Sequence, residues 1–139
     1  MTKQSWAETC RAVIALAQER CACCRMHQSL QGATFHIEHI IPHSENGTDL
    51  LENLCWACPG CNLHKANRVT AVDPFTGEQV SLFHPQQQKW SEHFQWNGTE
   101  LVGLTPIARA TISVLQLNSK RRQRVREAEQ LFQLFPPID

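Results

Sequence analysis

HIEHIIP, His36 to Pro42, places an acid between two imidazoles on a stretch with the composition of a buried strand. Side chains alternate along a strand, so His36, Glu38 and Ile40 share one face and Ile37 and His39 the other. Adjacent Glu38 and His39 border one cleft only where the strand twists or ends, and Ile40 to Pro42 end it here. A carboxylate is a hard oxygen ligand suited to magnesium, an ion that keeps several waters and few protein ligands. An imidazole with an ordinary pKa near ~6.5 is suited to take a proton from water at neutral pH. Asn62, further along, offers a second, neutral oxygen.

Two cysteine pairs flank this stretch. Cys21-x-x-Cys24 precedes it, and Cys58-x-x-Cys61 ends directly before Asn62. That spacing lets both thiolates of a turn reach one tetrahedral ion, so the four sulfurs are expected to hold a structural zinc (Zn2+) with no open position. Such an ion would pin the two ends of the intervening loop together and add folding energy there. Cys55-x-x-Cys58 has the same spacing and Cys23 lies beside Cys24; the pair Cys58/Cys61 is preferred because it leaves Asn62 next to the knuckle. Read alone, CPGC is also a redox pair, but no βαβ pattern surrounds it. Cys10 lies on the apolar face of the first helix and reads as core. The total of seven cysteines suits metal binding better than a disulfide framework in a reducing compartment.

Outward from this centre the chain alternates helices and short strands. Ser5 with Glu8 three residues later is a capping-box pattern. Trp6, Cys10, Val13, Ile14 and Ala17 then recur at helical spacing, which predicts a helix from Ser5 to about Arg20. TFHIEHII reads as a strand, PHSENGTD as a polar loop and CNLHKANRV as a short helix. DPFTGE is a turn, QVSLFH a strand, and Asn97-Gly98 between two strand-like runs signals a hairpin. Thr105-Pro106 opens a helix, and SKRRQRVREAEQLFQLF forms another, stopped by Pro136-Pro137. No repeat or linker interrupts the chain. The expected fold class is α+β, one domain over residues 1–139, with its core at 20–68 and accessory strands and helices at 69–139.

Composition bounds the function. Hydrophobic residues at 42% and charged residues at 19% describe an ordinary globular protein, and no apolar run approaches the length of a membrane span. MTKQSWAETC lacks the apolar core of a signal peptide, so a cytoplasmic protein is expected, without a membrane. The formal net charge is zero, yet its distribution is uneven. Asp73, Glu78, Glu92 and Glu100 face only Lys89 between Val69 and Leu104. From Thr105 onward, Arg109, Lys120, Arg121, Arg122, Arg124 and Arg126 outnumber Glu127, Glu129 and Asp139. A neutral total thus conceals a basic segment able to meet phosphates.

The segment FHIEHIIPHSENGTDLLENLCWACPGCNLHKANR, Phe35 to Arg68, resembles the HNH endonucleases of the ββα-metal fold whose core is stapled by four cysteines in a treble-clef-like arrangement. The resemblance rests on Glu38-His39, Ile40-Ile41-Pro42, Gly47, Asn53-Leu54, and Cys58 to Cys61 followed by Asn62 and Lys65. With Cys21 and Cys24 it covers about a third of the chain. The flanks resemble those of small stand-alone bacterial HNH proteins.

The resemblance implies a metal-dependent endonuclease acting on DNA and leaving 5′-phosphate and 3′-hydroxyl ends. It implies that His39 is the general base and that Glu38 and Asn62 hold a catalytic magnesium (Mg2+) or manganese (Mn2+) ion. Asn53 would order the loop that aims His39. Lys65 and Arg68 suit phosphate contacts, and His64 is a candidate proton donor or metal neighbour. His36, on the face of Glu38, is a candidate ligand. Glu38 departs from the Asp more usual in the family, and being a methylene longer it leaves the choice of metal open.

Other histidines and tryptophans have blander readings. His27 is a candidate stand-in for a thiolate, His43 a solvated loop residue, and His84 and His93 surface residues. Trp56, Trp90 and Trp96 read as packing. Lys120, Arg121, Arg122 and Arg124 read either as a solvated helical face or as a DNA contact. The competing functional class is a non-catalytic zinc module binding DNA or protein. Such a scaffold needs the four cysteines but has no use for Glu38, His39 and Asn62 together. A single site per chain makes double-strand cutting easier for a dimer or by repeated nicking.

Overall fold

In the computed structural model, which describes residues 4–137, strand β1 spans His36–His39 and pairs antiparallel with β2, Leu54–Ala57. Glu38 lies opposite Cys55 and His39 opposite Leu54. β1 is shorter than the eight-residue stretch read from the sequence, because Ile40 and Ile41 turn away to bond Asn53 instead of a partner strand. β2 was not anticipated. Leu54, Cys55 and Ala57 are all buried, so the strand has no alternation to betray it.

Helix α1, Trp6–Ala17, packs on this hairpin. The Ser5 hydroxyl accepts from Glu8 N–H at 3.2 Å and the Glu8 carboxylate accepts from Ser5 N–H at 3.1 Å, closing the expected capping box. It stops at Ala17 rather than Arg20, where Gln18 turns left-handed. Only part of its apolar face is used: Val13 is buried, while Trp6, Ile14 and Leu16 are exposed.

Helix α2, Pro59–Lys65, begins two residues before the expected start at Cys61. Cys58 caps it, its sulfur accepting from Cys61 N–H at 3.4 Å, and Pro59 fills the first position, where no N–H is needed. β1, β2 and α2 thus form a ββα unit, with α2 laid against β1.

The remainder builds outward. β3 (Thr70–Val72), also unanticipated, pairs with β4 (Gln79–Ser81) across the predicted DPFTGE turn. Asp73 ties that turn, accepting from Phe75 N–H and the Thr76 hydroxyl. A short helix α3, Trp90–His93, leads into the hairpin of β5 (Phe94–Asn97) and β6 (Glu100–Gly103), turned at Gly98 with φ +61°. α4, Pro106–Leu115, is capped by Thr105 as expected, and α5, Lys120–Leu131, by Ser119. The result is a mixed α and β molecule with three two-stranded sheets among the described residues.

One apolar cluster joins the halves. The four cysteines of the knuckle merge with Met26, Phe35, Phe83, Trp90, Phe94, Leu115 and Leu117, with Trp56 and Trp96 packed against them. α5 enters this cluster in an unusual way, because its fully buried residues are Arg126 and Glu129. Arg126 donates to the carbonyls of Thr99 and Leu117 and lies 5.0 Å over the Trp96 ring, while Glu129 accepts from His27 N–H at 2.6 Å. Part of the basic run is therefore internal structure. Among the described residues no helix is long and apolar enough to cross a membrane.

Candidate active site and cysteine knuckle

The knuckle forms first. β2 delivers Cys58 and α2 delivers Cys61, while the turn after α1 delivers Cys21 and Cys24. All four sulfurs lie within 4.8 Å of one another and all four residues are buried. Burial pushes the Cys24 thiol well above its usual range. Against the same penalty, the Cys21 thiolate is held well below it by hydrogen bonds from Cys23, Cys24, Cys58 and Cys61. Four thiols competing for so few protons in a sealed space fit a tetrahedral zinc, which would deprotonate all of them. Cys23 and Cys55 stay outside the set. His27 is not a substitute ligand: its ring meets the Ser29 hydroxyl at 2.7 Å and Glu19 at 3.3 Å.

The knuckle sets α2 beside β1, and a cleft of about 350 Å³ opens between them. Glu38, His39 and Asn62 line it together, with His43, Ser44 and Asn67. Glu38 is buried, and neither carboxylate oxygen has a hydrogen-bond partner. Desolvation raises its pKa to about 7, opposed by the Lys65 ammonium 3.8 Å away. A carboxylate with no hydrogen bond beside its Lys65 contact, and a neutral amide lining the same cleft, are a donor set that fits a hard divalent cation.

His39 is half-buried at the strand's end. Its Nε2 lies 2.7 Å from Asp49 Oδ1, and the same oxygen takes Nε2 of His43 at 2.7 Å. Hydrogen bonds from His39, then His43, hold the Asp49 carboxyl below its ordinary range. A carboxylate can only accept, so Nε2 of His39 donates to Asp49 and Nδ1 is the ring nitrogen left outside this contact. The Trp6 ring stacks parallel to His39 at 6.2 Å. Asp49 and Trp6 escaped the sequence reading. Asp49 is one of several polar residues in PHSENGTD, and nothing in its spacing marks it.

Asn53 anchors the loop between these elements. Its Oδ1 accepts from Ile41 N–H at 2.9 Å, and Nδ2 donates to the carbonyls of Ile41 and Thr48 at 2.9 and 2.8 Å. Gly47 passes so close that a Cβ there would stand 1.7 Å from the Ile41 carbonyl oxygen, so only glycine fits.

The other candidates disperse. His36 is exposed and does not line the cleft. Lys65 is buried, paired with Glu38 and reaching the His39 carbonyl at 3.4 Å. His64 lies in a separate groove beside α5, and exposed Arg68 donates to the His64 carbonyl. Lys120, Arg121 and Arg124 are exposed, whereas the Arg122 guanidinium turns inward to within 3.5 Å of Cys61 Sγ. His84 and His93 are half-buried rather than superficial, His93 bonding Thr105 and His84 accepting from Gln86 and Gln87 N–H.

Residues 21–68 match the family described as HNH endonuclease, a span that holds the knuckle, the ββα unit and the cleft. No curated protein and no solved structure matches the chain.

Proposed function

We propose that the residues matching the HNH endonuclease family, 21–68, make this chain a metal-dependent endonuclease that hydrolyses DNA phosphodiester bonds. The observation that carries the reading is the convergence of Glu38, His39 and Asn62 on one cleft, with both Glu38 oxygens buried and lacking hydrogen bonds. Glu38 and Asn62 would hold a magnesium or manganese ion, which when bound supplies positive charge for the developing negative charge on phosphate and leaving oxygen.

His39 takes the proton. With Nε2–H engaged by Asp49, Nδ1 accepts a proton from water as the water oxygen attacks phosphorus and the 3′ oxygen departs. Asn53 keeps the loop and hence Asp49 in register. Exposed Arg68, Lys120, Arg121 and Arg124, with half-buried His64, are the candidates for contact with DNA phosphates. The four-cysteine knuckle carries a structural zinc and takes no part in the chemistry.

Purified protein is tested on supercoiled plasmid with Mg2+ or Mn2+, beside His39→Ala. Nicked and linear products from the wild type and at least a 100-fold loss in the variant are expected. Equal activity in both would overturn the assignment of His39 as the base, and equal inertness with every metal would leave the non-catalytic zinc module as the better description.

A further inference from the structure

We propose that Arg122 is the counter-charge of the zinc tetrathiolate, and that through it the ion in the knuckle holds helix α5 against the domain. Four thiolates outweigh the two charges of one zinc ion, leaving a net anion sealed in the interior. A buried net charge is costly unless donors and an opposite charge face it. Arg122 Nη1 lies 3.5 Å from Cys61 Sγ and 3.8 Å from Cys58 Sγ. The resemblance and the family match end at Arg68, far from this residue in sequence.

The contact is built from both sides. The Ser119 hydroxyl caps α5 by accepting from Arg122 N–H at 3.3 Å, and the Leu115 carbonyl accepts from Nη2 at 3.3 Å. On the knuckle, Gly60 leaves the space the guanidinium fills, for a Cβ there would stand 2.7 Å from Nη2. α5 has little apolar surface with which to dock, since its fully buried residues are Arg126 and Glu129. The charge-assisted contact with the thiolates therefore adds to the attachment that Arg126, Glu129 and Val125 supply. The exposed Lys120, Arg121 and Arg124 ride on the same helix, so the ion's charge also sets where that basic face points.

The inference is independent of whether the cleft cuts DNA, and its test needs no activity. Zinc-loaded protein is mixed with excess chromogenic chelator and the rate of zinc transfer is followed, with hydrogen exchange recorded over residues 120–131. Arg122→Gln is expected to release zinc about tenfold faster and to lose protection in α5 while β5 and β6 keep theirs. Arg122→Lys, which retains the charge, should fall between. Gly60→Ala, which displaces the guanidinium without altering charge, should accelerate release in the wild-type background and add nothing to Arg122→Gln.

Zinc leaving Arg122→Gln at the wild-type rate overturns the proposal. So does Lys behaving as Gln, which would make the contact one of packing alone. Should Arg122→Gln not fold, Arg122→Lys and Gly60→Ala still decide: wild-type release from both overturns the proposal.

Discussion

Nε2 of His39 and Oδ1 of Asp49 meet at 2.7 Å, joining the end of β1 to the loop that Asn53 anchors. The carboxylate engages Nε2 as a donor, which in the proposed mechanism leaves Nδ1 to serve as the base. Asp49→Ala is expected to lower kcat about tenfold with little change in KM, because the ring loses orientation but the cleft keeps its metal-holding groups. Plasmid-nicking kinetics at saturating metal check this; an unchanged kcat would leave Asp49 without a part in the reaction.

Glu38 trades stability for position. Its folded pKa of about 7 lies above the ordinary 4.5, so the native state binds the extra proton between these values. Stability of the protein that keeps its zinc but has no ion in the cleft is therefore expected to be unpenalised below pH 4.5 and to fall as pH rises toward 7. The full penalty is about 3 kcal/mol, an order-of-magnitude figure. Glu38→Gln should abolish this slope in denaturant titrations at pH 4.5 and 7.5, raise stability at the higher pH, and eliminate cleavage.

Asn53 satisfies three backbone groups at once. Asn53→Ala strands them and is expected to cost about 2–4 kcal/mol, measured by chemical denaturation. Asn53→Asp is the sharper probe: it keeps the acceptor for Ile41 N–H but turns a lone pair on two carbonyl oxygens. An aspartate variant as stable as wild type would contradict the bonding pattern.

Asp73 carries the acid sensitivity of the outer half. Hydrogen bonds from Arg109 at 3.0 and 2.9 Å hold its carboxyl well below the usual range, against the cost of burial. A depressed folded pKa contributes stability that is complete above the ordinary Asp value and lost as pH falls below it. Asp73→Asn should lower Tm at pH 6 and flatten the loss of Tm between about pH 4 and 2.

Removing zinc with a strong thiol-compatible chelator under reducing conditions should collapse cooperative unfolding, because the sulfurs sit within the main apolar cluster. Readdition of one equivalent of zinc restores it. EDTA dialysis should instead strip the cleft's ion and leave about one zinc per chain. A metal-free protein with an unaltered melting curve would rule out a structural ion.

Much of this fold was legible because its signals are local. The capping box at Ser5 and Glu8, the cap at Thr105 and the Asn97-Gly98 turn each depend on residues within a few positions of one another. The cysteine spacings were equally plain. β2 and β3 were not, since a buried four-residue strand and a three-residue edge strand show no period. Within the site, residue types suited to ligation and proton transfer stood out at Glu38, His39 and Asn62. Asp49 did not, being chemically ordinary among its neighbours.

The basic run of α5 shows where sequence stops. KRRQRVRE reads as one cationic face, and by itself the sequence determined that a helix runs from about Ser119 and carries those charges. It determined likewise the knuckle's four sulfurs and the acid beside the histidine. Only the tertiary structure decided which cations face solvent. Helical periodicity aims Arg122 and Arg126 inward, where thiolates and carbonyls repay their desolvation, and leaves Lys120, Arg121 and Arg124 outside. The same holds for Asp49, which reaches His39 only because Asn53 folds the loop back. Charge and donor number are written in each residue, but the partner that makes them useful lies in another segment, and folding alone brings it near.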